Sequence, residues 1–192
     1  MLRSAVGAVV RSEAGIARAL RNGVRGRAPA SGGAVALPYA GRFGVVVGGM
    51  VAIGAVELGV VHLLLPWPAV RWALFVLGVY ALVWAVGFGL TLRQHPHLLR
   101  GADLVLRFGH FRSTVVPLQG LVGARRAVDA QHRRNVVLEG DRLALSVLGE
   151  TNVELRFDPP VQVPGQPRPV ARVAFFADDP AAAVRELRAL SG

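Results

Sequence analysis

The chain has 192 residues, 53% of them apolar and only 18% charged, with a formal net charge of +10. Soluble domains carry about 25% charged residues, and a basic, apolar composition of this kind argues against a disordered chain or a collagen-like repeat. There is no cysteine, and all 22 basic residues are arginine, so a disulfide scaffold, thiolate metal sites, Schiff-base lysines and a P-loop lysine are all excluded.

Residues 1–42 form a basic N-terminal arm, with seven arginines against the single acid Glu13. Its first 24 residues read either as an amphipathic helix on an anionic leaflet or as a disordered basic arm. The apolar run Ala5–Val10 is too short for a cleaved signal, and Arg11 ends it. Residues 25–37, rich in Gly, Ala, Pro and Ser, read as a linker. Residues 43–92 then form two apolar runs, Phe43–Leu65 and Ala69–Leu92, split by Pro66-Trp67-Pro68. About 20 apolar residues span a bilayer core as a helix, so this stretch is predicted to be a transmembrane helical hairpin. Arginines crowd both flanks, and only Arg71 lies near the turn. The positive-inside rule therefore puts both termini in the cytoplasm, in a protein of the inner (plasma) membrane with two spans.

Residues 93–192 read as a β domain. Strands are predicted over 103–108, 111–116, 121–128, 136–139, 142–148, 153–157 and 170–176, with Asp158-Pro159-Pro160 and 164–169 as loops. Asp178-Asp179-Pro180 opens a closing helix carrying Val184, Leu187 and Leu190. The stretch Val115-Val116-Pro117-Leu118-Gln119-Gly120-Leu121 and the ending Phe175-Phe176-Ala177-Asp178-Asp179-Pro180 resemble bacterial pleckstrin-homology-like (PH-like) domains. The layout from 43 to 190 is similar to that of actinobacterial two-span membrane proteins carrying such a domain in the cytoplasm. The resemblance implies an α+β membrane protein. A transmembrane hairpin would be followed by an antiparallel barrel or roll of about seven strands, closed by the C-terminal helix. It implies no catalytic or ligand residue.

Within the hairpin, Glu57 lies about 4–5 Å outward of the midplane at 1.5 Å per residue. An ionisable group at that depth is a functional candidate by default. His62, Tyr80 and Arg71 are the other polar candidates, and a Glu57–Tyr80 hydrogen bond is the geometric expectation. One reading makes Glu57 a structural hydrogen-bonding group; another makes Glu57, His62 and Tyr80 a proton or cation site; a third makes Glu57 a contact for a partner protein. Gly44, Gly48, Ala52, Ala55 and Gly59 form a small-residue stripe suited to packing within the hairpin or onto another copy. Arg93, Arg100, Arg125, Arg126, Arg133 and Arg134 form a basic patch suited to lipid head groups. His95-Pro96-His97 reads as a juncture between membrane and domain rather than as a metal site.

The sequence offers no phosphate-binding loop, no Gly-x-Ser-x-Gly elbow and no recognition helix, so no enzyme, cofactor, small-molecule substrate or nucleic-acid partner is expected. The functional expectation is a non-enzymatic, membrane-anchored interaction or scaffold module. Its partners would be anionic lipids and either its own copies or another membrane protein. The alternative is a subunit of an oligomeric transporter or ion-coupled complex using Glu57 and His62.

Overall fold

The computed structural model describes residues 13–23, 33–131 and 136–190. They fall into two compact units. One holds residues 13–23 with Gly41–Gln94, and the other holds residues 33–40, 95–131 and 136–190.

The first unit is helical. Helix α1 covers residues 13–23, α2 is Gly41–Leu64 and α3 is Pro68–Gln94. Helices α2 and α3 are long and apolar enough to cross a membrane. At 1.5 Å per residue each exceeds a hydrocarbon core of about 30 Å. Pro66 and Pro68 end one helix and start the next, since proline is tolerated at a first turn but not inside a helix. The two helices pack antiparallel through glycines. A Cβ on Gly54 would lie 2.9 Å from Leu82, one on Gly78 2.6 Å from Leu58, and one on Gly89 3.2 Å from Val47. This register sets Glu57 level with Val79. Helix α1 packs along the C-terminal half of α3, with Ile16 and Leu20 over Gly87 and Gln94 Nε2 donating to the Ala19 carbonyl at 2.8 Å.

Among the described residues, the second unit holds nine strands and one helix. Strands β1 (Val35–Leu37), β2 (His97–Arg100), β3 (Asp103–Phe108) and β4 (Arg112–Pro117) form an antiparallel sheet in that order. Strands β5 (Leu121–Asp129), β6 (Val136–Glu139), β7 (Arg142–Leu145), β8 (Thr151–Val161) and β9 (Val170–Phe175) form a second sheet, ordered β5-β8-β9-β7-β6. Helix α4 (Pro180–Arg188) packs on β5 and β8. Asp179 caps it, its carboxylate accepting from Ala182 N at 2.8 Å, with Pro180 in the first turn. Leu104, Leu106 and Val116 from one sheet meet Leu155, Val173 and Phe175 from the other, and Ala183, Val184 and Leu187 of α4 complete the core. Fully burying each large apolar side chain contributes about 1.5–3 kcal/mol.

The described residues of the domain thus form two sheets rather than a closed barrel or roll, with eight strands after the hairpin, where about seven are expected, and β1 added from before it. It is also not wholly antiparallel. Strands β7 and β8 are joined by a tight turn, yet they are not neighbours, because β9 lies between them, parallel to β7 and antiparallel to β8. Strand β8 also runs through Asp158-Pro159-Pro160, expected as loop. Its register with β9 is irregular between Arg156 and Val161, so the two prolines, which have no N–H to donate, sit where the ladder is interrupted.

Candidate functional site

Glu57 lies in the C-terminal half of α2 and is exposed. It borders a cleft of about 420 Å³ between α2 and α3, otherwise lined by Gly54, Leu58, Val61, Leu74, Leu77, Gly78, Ala81 and Leu82. No described residue gives it a hydrogen bond or an ion pair. Tyr80 lies at nearly the same depth but faces α1, and its hydroxyl donates to Glu13 Oε1 at 2.9 Å. The expected Glu57–Tyr80 bond is therefore replaced by one to a carboxylate of the N-terminal helix, which the hairpin alone did not suggest.

His62 follows Glu57 by five residues, about 140° around the helix, and has different neighbours. Its ring meets Trp72 edge-on (5.3 Å between centroids, 77°) and Phe75 (5.2 Å, 60°), and those two rings also touch (5.6 Å). Its Nδ1 and the Nε of Arg71 are buried without a hydrogen-bond partner among the described residues. The structure does not bring Glu57 and His62 into one site. Of the small-residue stripe, Gly44 lies beneath the Arg93 guanidinium, while Gly48 and Gly59 face open space, and Ala52 and Ala55 are exposed. The glycines that let the helices approach are Gly54, Gly78 and Gly89.

The β domain carries its polar network elsewhere. Tyr39, fully buried, stacks on His97 at 4.4 Å and 12° and accepts a hydrogen bond from Gly109 N at 2.7 Å. His97 Nδ1 accepts from Arg107 N at 2.9 Å, so the proton of the neutral ring is on Nε2, which lies 3.1 Å from the Phe176 carbonyl and donates to it. Burial pushes the His97 pKa down to about 3 and that of Tyr39 up to about 12. With both nitrogens held by the backbone, His97 has no lone pair to offer a ligand. The Asp178 N–H donates to the Pro38 carbonyl at 2.8 Å, fixing the segment before α2 to the end of β9. The sequence reading missed this node because Tyr39 lies just past a stretch that looked like linker.

The basic residues are dispersed. Arg93 folds over Gly44, and Arg100 is exposed on β2. Arg125 is engaged by the buried Glu154, through Nε at 3.0 Å and Nη2 at 2.6 Å, while the adjacent Arg126 is exposed. Arg142 bridges Asp129 at 2.6 Å and approaches Glu154 at 3.7 Å. Arg172 pairs with Asp141 at 2.8 Å and holds its carboxyl below the usual range. Arg133 and Arg134 lie outside the described residues. The sequence reading also missed the carboxylate partners, because they come from strands distant in the chain. Comparisons with protein families, with curated proteins and with solved structures find no match to this chain.

Proposed function

We propose that the chain is a two-span protein of the inner (plasma) membrane that presents a non-enzymatic, PH-like interaction domain to the cytoplasm. The observation that carries this reading is the pairing of β1, which precedes the hairpin, with β2, which follows it, in the register Val35↔Leu99, Ala36↔Leu98 and Leu37↔His97. Strands hydrogen-bonded to one another occupy one compartment, so α2 must cross outward and α3 must return. The arginines flanking the hairpin choose the cytoplasm for that compartment. The closing helix, capped by Asp179 and packed on β5 and β8, supports the PH-like reading. The exposed arginines suit anionic lipids, at about 1 kcal/mol each near a charged surface.

The cysteine-free chain makes topology directly testable. In intact cells, a membrane-impermeant maleimide should label Ala69→Cys in the turn and leave Gln119→Cys in the β domain unlabelled until the membrane is opened. Labelling of Gln119→Cys from outside would overturn the orientation, and protection of both positions would overturn the two spans. Native mass spectrometry from discs of native lipid should find a complex of fixed stoichiometry. A lone chain turning over a bound small molecule would defeat the non-enzymatic reading.

A further inference from the structure

We propose that the Glu57 cleft is the seam of a parallel homodimer, in which the Glu57 carboxyls of two copies hydrogen-bond to each other. This rests on α2 and α3 being spans, which the maleimide labelling above decides independently.

The argument starts from one unsatisfied group. A carboxyl in hydrocarbon requires a polar partner, and no described residue supplies one. Tyr80, at nearly the same depth, is already bound to Glu13 on the opposite side of α3. That side is covered by α1, with Ile16 and Leu20 over Gly87. The cleft is open and otherwise apolar; Leu82 and Leu58 cover Gly54 and Gly78 at its floor, and Glu57 stands exposed at its edge.

Symmetry selects the occupant. Two copies inserted with the same topology are related by an axis along the bilayer normal. About such an axis a residue contacts a different residue of the other copy and is contacted by it in turn, and only a residue close to the axis meets its own counterpart, at the same depth. Among the described residues Glu57 is the only polar side chain lining this cleft, so with the axis running along the cleft it meets Glu57. A carboxyl pair is self-complementary: the O–H of one donates to the carbonyl oxygen of the other. A different helix would have to bring its own polar group to the same depth, and a lipid chain would leave the carboxyl unsatisfied.

The test uses the full chain in vesicles containing phosphatidylglycerol. On mild oxidation, Glu57→Cys should form a disulfide-linked dimer, and Ala55→Cys, on the other flank of α2, should not. Energy transfer between chains labelled at Gln119→Cys should report a dimer. Its dissociation constant should stay within threefold for Glu57→Gln, which keeps a donor and an acceptor, and weaken at least tenfold for Glu57→Leu. Unaltered affinity in the Leu variant, cross-linking at Ala55→Cys in place of Glu57→Cys, or an absence of transfer between otherwise unaltered chains would each overturn the proposal. Unchanged maleimide topology in every variant separates loss of the dimer from loss of insertion.

Discussion

His97 shows how one buried side chain ties acidity to stability. Its folded pKa of about 3 lies below the ordinary 6.5, and burial is the main cause. The folded domain therefore keeps the ring neutral while the unfolded chain takes up a proton as pH falls below 6.5. Stability from this residue is fully present above 6.5 and declines as pH drops toward 3, by up to about 1.4 kcal/mol per pH unit. Other carboxylates of the domain also titrate on acidification, so the comparison that isolates His97 is with His97→Gln, which retains polar atoms but does not titrate in this range. Urea unfolding of the detergent-solubilised chain, followed by methyl NMR of the β-domain core, should show a steeper loss between pH 6.5 and 4 in the parent than in the variant. Equal slopes would mean that His97 is accessible to protons in the folded state. Its stacking partner makes a companion case: Tyr39→Phe strands the Gly109 N–H and should cost about 1–3 kcal/mol at any pH in this range.

Among the helices, what the sequence revealed and what it concealed have one cause. The two apolar runs and the intervening prolines identify α2 and α3, because length and hydropathy alone decide whether a helix can span. They do not identify which side of α2 meets α3, because α2 is apolar all round and lacks the polar face that orients a soluble helix. The stripe Gly44, Gly48, Ala52, Ala55 and Gly59 has the close-packing period, yet the seam runs along the adjacent row containing Val47, Val51, Gly54, Leu58 and Val61. Gly78→Ile forces a branched side chain against Leu58 and should destabilise the hairpin by about 1–3 kcal/mol. Gly59→Ile enters open space and should stay within about 0.5 kcal/mol. All three tryptophans, Trp67, Trp72 and Trp84, lie in the hairpin region, so fluorescence during titration with sodium dodecyl sulfate reads this difference. A larger loss from Gly59→Ile than from Gly78→Ile would place the packed face on the other side of α2.

At the scale of the whole molecule, the β domain is discontinuous: the chain enters it at β1, leaves through the hairpin and re-enters at β2. Strands β3 to β9 were largely legible in residues 93–192, since alternation and turn residues are local signals. β1 was not, because three residues in an Ala-, Gly- and Pro-rich stretch acquire strand geometry only from a partner some 60 positions later. The parallel β7/β9 pair was concealed for the same reason: it joins strands separated by the whole of β8. A chain beginning at His95 should therefore fold poorly, although it contains every strand that a local reading finds. It would lack the β1 pairing that covers Leu98 and Leu99, the Tyr39 ring on His97 and the Pro38 carbonyl that accepts from Asp178. Because Leu37 and His97 are register partners, the gap left by removing Gly41–Gln94 is short. Residues 33–40 joined to residue 95 by a few glycines and serines should restore the fold without a membrane. The joined chain should melt cooperatively, and the chain beginning at His95 should melt at least about 5 °C lower, the shift that 1 kcal/mol produces in a domain of this size. Equal melting temperatures would show that β1 is an appendage to a domain complete without it, and would remove the structural reason for both ends of the hairpin to share one compartment.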